Sequence, residues 1–334
     1  MESKNLINFK VVSLTDQPGK TECKEVAFDL NTLPSNYVAI KMQYAAVGPF
    51  DINIFNHYYS STKDQFNSFG FEGVGTVTHV GKEVDSKAFI GKKLAFMKVD
   101  AIAQAYSEYA IVPVGSTILM DEKTLKNEQL LKERAYLIGN PFTAKGFLNE
   151  VLLTQNHKSI VMDTANSSFG QIVARLCDKH NIQLINIVRS EQGVKTMESI
   201  SKGFININTS ENDYLNKFKD AVKDRNPSLY VTFQGGNLPS RIFELMPYRT
   251  SMVTLGVINN EKISGFSTVP FIFHEKKIFG YSISPYMSNL ISSNKTNEVG
   301  QELLKDPDYA MSFDFTEFKL SEFEKAVEFQ KTSK

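Results

Sequence analysis

The stretch from residue 159 to residue 188 constrains the fold more than any other part of the chain. Ser159-Ile160-Val161-Met162 is a short apolar run, Asp163 to Gly170 is a loop of polar and small residues, and Gln171 to His180 has helical spacing. Leu184-Ile185-Asn186-Ile187-Val188 is a second apolar run. Phe169, Ile172, Val173 and Leu176 recur at i, i+3, i+4 and i+7, so one helical face is apolar and the other is wet. Two apolar strands joined by such a helix form a parallel pair with a right-handed crossover. Leu229-Tyr230-Val231-Thr232-Phe233 and Met252-Val253-Thr254-Leu255 continue the alternation. The later part of the chain is therefore predicted to be a doubly wound parallel sheet.

The first third has a different rhythm. Val38 to Tyr44, Gly75 to Gly81, Lys93 to Met97 and Glu108 to Val112 read as short strands, punctuated by Gly70, Gly73, Gly91 and Gly115. That pattern suggests a compact antiparallel barrel or sandwich. Residues 125–152 look helical, broken by Gly139-Asn140-Pro141, where proline suits the first turn of a new helix. Leu320 to Lys331 is an amphipathic tail, with Phe323, Ala326, Val327 and Gln330 in register. The expected division is a β-rich domain over 1–124, completed by 285–334, and a parallel-sheet domain over 125–284.

Composition removes several classes of function. A chain of 334 residues is longer than one core commonly supports, and 42% apolar with 22% charged residues excludes wholesale disorder. Lys plus Arg and Asp plus Glu both number 37, so no net charge draws the chain to nucleic acid or anionic lipid. Cys23 and Cys177 are too few for a disulfide framework or a zinc knot and fit a reducing compartment. No apolar window approaches the roughly 18 residues of a transmembrane helix. Met1-Glu2-Ser3-Lys4-Asn5 carries an acid and no apolar core, unlike a secretory signal, and is not Arg-rich.

A loop between a buried strand and a helix presents free backbone N–H groups at the positive end of a helix dipole, which suits an anion. Here Ala165, Ser167 and Ser168 take the place of the glycines in a GxGxxG loop. The same residues are equally compatible with a serine-capped helix that binds nothing. At the end of the next apolar run stands Arg189-Ser190, where NAD-specific folds carry an acid for the ribose 2′-hydroxyl. A guanidinium and a hydroxyl suit a 2′-phosphate instead; a solvated arginine at a strand end is the plain alternative.

Six segments in order resemble the zinc-free branch of the medium-chain dehydrogenase/reductase superfamily, which holds the quinone oxidoreductases and the trans-2-enoyl thioester reductases. Ala45-Ala46-Val47-Gly48-Pro49-Phe50-Asp51-Ile52-Asn53 is similar to A-x-x-N-P-x-D-x-N, and Gly70-Phe71-Glu72-Gly73-Val74-Gly75-Thr76-Val77 to G-x-E-x-x-G-x-V. Gly139-Asn140-Pro141-Phe142-Thr143-Ala144 is similar to N-P-x-T-A. Ala165 to Gln171 with Asn186-Ile187-Val188-Arg189, then Gln234-Gly235-Gly236, then Lys277-Ile278-Phe279-Gly280-Tyr281, match later positions. The resemblance implies a GroES-like catalytic domain and a Rossmann domain with NADPH as cofactor. It implies that Asn166, Ser167, Ser168, Phe169 and Gly170 cradle the pyrophosphate and that Arg189 and Ser190 meet the 2′-phosphate. Asn140 and Thr143 are then expected near the nicotinamide, with Gly235, Gly236, Leu255 and Gly256 along the other wall.

The departures matter as much. Zinc-dependent relatives place a Cys in the segment around position 48 and a His before the glutamate of the next motif; this chain has Gly48 and Phe71 there. Zinc needs three or four N or S ligands, and His57, His79, His157, His180 and His274 have no ligand spacing, so no metal is expected. The resemblance to the zinc-free relatives implies hydride transfer from the cofactor onto a quinone or an α,β-unsaturated carbonyl, with the protein supplying orientation and a hydrogen bond. By resemblance the donor is Tyr59; a pair of packing rings, Tyr58 and Tyr59, is the alternative. Gly48 in place of asparagine, bulky Phe169 beside the loop and the extra charge of Asp163 leave open a second function, an accessory or structural subunit of a larger assembly. A small flat or apolar substrate and a homodimer are expected, in the mitochondrion or the cytoplasm.

Overall fold

The computed structural model describes residues 5–58, 65–258, 261–311 and 314–332. The chain divides into two compact units. One comprises residues 1–139, 287–307 and 311–334; the other comprises 140–286 and 308–310.

Among the described residues, seven strands build the first unit: β1 (Leu6–Leu14), β2 (Thr21–Asp29), β3 (Tyr37–Ala45), β4 (Glu72–Val80), β5 (Lys93–Met97), β6 (Tyr109–Pro113) and β7 (Thr117–Leu119). β1 and β2 form an antiparallel hairpin, and the others form an antiparallel sheet in the order β6-β3-β4-β5-β7. Two register shifts between β3 and β4, at Ala39/Ile40 and Met42/Tyr44, bend this sheet as bulges do. Val38, Ile40, Val77, Leu94 and Phe96 alternate inward from three strands to make one core. The C-terminal helix Phe323–Thr332 buries Phe323, Ala326 and Val327, while Gln330 is exposed. Phe323 stacks edge-on to Phe69 at 5.0 Å.

The helical stretch 125–139 stays with this unit for a definite reason. The Glu72 carboxylate at the head of β4 accepts hydrogen bonds from the N–H groups of Ile138 and Gly139, which ties that segment to the antiparallel sheet.

The second unit carries β8 (Ser159–Asp163), β9 (Gln183–Val188), β10 (Ile205–Asn208), β11 (Leu229–Thr232), β12 (Ser251–Thr254) and β13 (Lys277–Gly280). All pair in parallel, in the order β10-β9-β8-β11-β12-β13. This is the doubly wound order, with its switch point between β8 and β11. Both central strands are buried throughout, which is why they read as unbroken apolar runs. The helix Ser168–Lys179 crosses from β8 to β9 and buries Phe169, Ile172, Val173 and Leu176. It begins three residues before the expected Gln171, because Ser167 acts as its N-cap. Pro141 sits in the first turn of the helix Gly139–Phe147, which runs on into a π-helical turn, Leu148–Leu153.

Candidate functional site

In the second unit Ser167, Ser168, Arg189, Ser190, Gly235, Gly236, Leu255 and Gly256 follow the C-terminal ends of four strands of one sheet. The β8 loop turns abruptly: Thr164 has φ +53°, a conformation unusual for a β-branched residue. The Ser167 hydroxyl accepts from the N–H of Gly170 at 3.1 Å, closing the N-cap. The N–H groups of Ser168 and Phe169 open the helix and have no acceptor within it. Gly170 is required by contact, since a Cβ there would lie 2.2 Å from the carbonyl oxygen of Ala165. The turn is thus drawn against its own helix, with Ser167 and Ser168 partly exposed and Asn166 exposed.

Arg189 and Ser190 follow β9, next to β8 in the sheet, and both are exposed. Ser190 accepts from the N–H of Gly193 at 3.2 Å and caps the helix Glu191–Ile200, leaving its own O–H to donate elsewhere. The two loops meet: a Cβ on Gly193 would lie 3.4 Å from the Asn166 side chain. Gly235 and Gly236 follow β11, across the switch point from the serine loop. Their small size serves the protein's own backbone. A Cβ on Gly235 would fall 1.8 Å from the Glu261 carbonyl oxygen, and Gly236 exchanges backbone bonds with Lys262 and Ser264 at 3.1 and 3.0 Å. Leu255 and Gly256 follow β12 and are partly buried, as are Asn140 and Thr143 on the helix Gly139–Phe147.

Two residues that looked unfavourable in the sequence are turned inward. Asp163 is fully buried; its carboxylate accepts from the hydroxyls of Tyr230 at 2.6 Å, Thr164 at 3.1 Å and Thr232, and from the N–H of Phe233 at 3.0 Å. Burial pushes its pKa up and these bonds oppose the rise. The carboxylate therefore laces β8 to β11 and is taken up by the protein's own donors. Phe169 is likewise in the core, stacked on Phe233 at 5.1 Å, so it does not crowd the turn.

In the first unit, Gly48 caps a short helix, Pro49–Phe55, and the Asp51 carboxylate accepts from the N–H groups of Gly48 and Phe71 at 3.2 and 3.0 Å. Asp51 and Glu72 are both buried. Desolvation pushes the first up to about 6 and the second up to about 8, against the backbone N–H groups that each accepts. Neither Gly48 nor Phe71 offers a metal-ligating atom, and Phe71 packs edge-on to Phe50 at 5.0 Å. Among the described residues no three His, Cys, Asp or Glu side chains converge as a metal site would need, and no helix is long and apolar enough to cross a membrane. Tyr59 lies outside the described residues; Tyr58 is exposed. The Asp51–Glu72 pair and its neighbour Tyr136 were not legible as a site, because residues 51, 72 and 136 meet only once the sheet has folded.

A curled antiparallel unit and a doubly wound parallel unit with a serine-glycine turn at its switch point make up a two-domain α/β fold. No family profile matches the chain. It is 25% identical over 260 residues to the mitochondrial enoyl-[acyl-carrier-protein] reductase of Xenopus tropicalis, covering 75% of this chain and 70% of that one. The fold matches the Escherichia coli quinone oxidoreductase complexed with NADPH, with TM-score 0.77, 15% identity and coverage of 97% and 96%. It also matches the mitochondrial 2-enoyl thioester reductase Etr1p/Etr2p heterodimer of Candida tropicalis, with TM-score 0.73, 17% identity and coverage of 97% and 98%. These homologues and fold neighbours are those of the zinc-free medium-chain dehydrogenase/reductase branch, the same branch that the sequence motifs resemble.

Proposed function

We propose that this chain is an NADPH-dependent, metal-free reductase that delivers a hydride to an α,β-unsaturated carbonyl compound, such as an enoyl thioester, or to a quinone. One observation carries the proposal: the serine-capped turn held tight by Gly170 lies at the switch point of the parallel sheet, beside Arg189 and Ser190 on the adjoining strand. The fit to a nucleotide is good in its chemistry. Ser168 and Phe169 supply N–H donors for a pyrophosphate. Arg189 and the free O–H of Ser190 supply charge-assisted donors for a 2′-phosphate, and the Asp163 carboxylate is taken up by the protein's own donors.

NADPH, when bound, supplies the hydride. The chain's residues bind, orient and protonate. Asn140 and Thr143 would meet the nicotinamide end of the cofactor, and Gly235, Gly236, Leu255 and Gly256 would lie along its other wall. Tyr59 gives a proton to the α-carbon as the β-carbon gains hydride. The phenol is suited to this, because its ordinary pKa of about 10 keeps it protonated at neutral pH. A homodimer is the expected assembly. The accessory-subunit alternative gains no support from the relatives.

Fluorescence titration with NADPH and NADH tests the proposal. Wild-type protein is expected to prefer NADPH, and Arg189→Ala to weaken NADPH binding about 10- to 100-fold, since a hydrogen bond to a charged group is worth about 1.5–3 kcal/mol. NADH binding should be unchanged. Failure of the wild type to bind either nucleotide overturns the proposal.

A further inference from the structure

The serine turn stands on a seam that the backbone leaves open. β8 and β11 pair in parallel up to Met162 opposite Val231, and there their ladder stops. β8 keeps its other neighbour one residue longer, with Asp163 opposite Ile187 of β9. The gap on the β11 side is the switch point, where the strand order reverses. A side chain closes it. The Asp163 carboxylate reaches across to the N–H of Phe233 at 3.0 Å and to the hydroxyls of Tyr230 and Thr232. Its Oδ1 also accepts from the Thr164 hydroxyl at 3.1 Å. Gln234 Nε2 donates to Thr164 Oγ1 at 3.4 Å, and the Gln234 N–H donates to Thr232 Oγ1 at 3.1 Å. All four groups around the carboxylate can donate, as an ionised, acceptor-only side chain requires.

We propose that Asp163 is a positioning residue for nucleotide binding: with Thr164 it clamps the serine turn to the Gln234-Gly235-Gly236 segment and fixes the crevice between them. The assignment deepens the reductase reading and rests on it. Thr164 has φ +53°, which a β-branched residue keeps only where its surroundings hold it there. Its bonds to Asp163 and Gln234 are that hold. From Thr164 the constraint passes into the turn. The Ser167 N–H donates to the Thr164 carbonyl at 3.0 Å, and the Ser167 hydroxyl accepts from Gly170. The far wall is equally fixed, since Gly236 exchanges backbone bonds with Lys262 and Ser264. One carboxylate thus joins the two walls. Asp163 is fully buried, so it acts through the turn and not by touching the nucleotide. N–H donors held in place before the nucleotide arrives lose little freedom when it binds.

The test uses the full chain, titrated with NADPH and NADH, and amide hydrogen exchange without either nucleotide. Asp163→Ala removes the acceptor and is expected to weaken both nucleotides by the same factor, about tenfold or more. Asp163→Asn keeps an acceptor of the same shape, and the Tyr230 and Thr232 hydroxyls can turn to accept from its amide. Its affinities should return to within about threefold of the wild type. Thr164→Val loses only the hydroxyl and should weaken both nucleotides about threefold. It carries the test if the alanine variant does not fold, which melting curves show. Exchange across residues 165–170 should quicken about tenfold in Asp163→Ala and Thr164→Val, while Ile160 to Met162 keep the wild-type rate. A merely structural role would quicken strand and turn alike. That equal rise, affinities within about twofold of the wild type in folded Asp163→Ala and Thr164→Val, or no recovery in folded Asp163→Asn overturns the positioning role and leaves the reductase reading standing. A wild type that binds neither nucleotide removes that reading, and the assignment falls with it.

Discussion

Glu72 is subject to two opposed demands. Its Oε2 accepts two backbone N–H groups, which favours the carboxylate, yet it lies in the core near Asp51, which favours the acid. Burial wins, and the folded-state pKa rises from 4.5 to about 8, while that of Asp51 rises from 3.8 to about 6. A group whose folded pKa lies above its unfolded value stabilises the fold below the unfolded pKa and loses that contribution as pH rises through the folded one. Thermal stability is therefore expected to decline from about pH 4 to about pH 8, first through Asp51 and then through Glu72. Glu72→Gln keeps an acceptor for Ile138 and Gly139 and should flatten the upper half of that decline, as melting temperatures measured across the range would show. A profile of the same slope in the variant would assign the effect elsewhere. At this scale the sequence is an uneven guide. Arg189 and Ser190 are readable because a strand end has one exposed tip. Asp163 is not, because a carboxylate after a strand looks the same whether it faces a loop or, as here, the hydroxyls of the neighbouring strand.

At the scale of elements, the serine turn and the helix Ser168–Lys179 act as one piece. Gly170 lets the helix approach the Ala165 carbonyl more closely than any side chain allows. Gly170→Ala is expected to cost about 1–3 kcal/mol in a denaturant titration, as overpacking does. It should also weaken NADPH and NADH binding alike, since the turn is distorted and Arg189 is untouched. A selective loss of NADPH would instead implicate the 2′-phosphate site. The turn's conformation was hidden in the sequence for a specific reason: Thr164 adopts φ +53° without being glycine or asparagine, and nothing local announces it. The helix face was plain, since Ile172, Val173 and Leu176 repeat at helical spacing and all are buried. The hairpin β1–β2 was not. Thr21–Asp29 carries charged residues at several positions and buries only Phe28 fully, so its periodicity is weak.

The whole molecule shows the same contrast between centre and edge. The strands beside the switch point are buried on both faces and could be read as apolar runs, whereas the edge strands β10 and β13 are short and mixed. β13 leaves one side of its backbone unpaired in the described sheet, and Lys277, Ile278 and Gly280 along it are exposed. Immediately before it, Ile272 and Phe273 are 64% and 68% exposed. An unpaired edge flanked by large apolar side chains is a site for association or aggregation unless something covers it. A second copy covers it with the least demand, since a twofold axis sets the same strand against itself in antiparallel pairing. The full chain is therefore expected to sediment at twice its 37.6 kDa mass. Phe273→Lys/Ile278→Lys should convert it to monomer, because two lysines on each copy set like charges against each other whichever of the two positions meet across the axis. Because the serine turn lies at the switch point and β13 at the sheet's edge, nucleotide affinity in that monomer should stay within about twofold of the wild type. A wild type that is monomeric at micromolar concentration would leave β13 needing a different cover, and a variant that remains dimeric would move the interface off this edge.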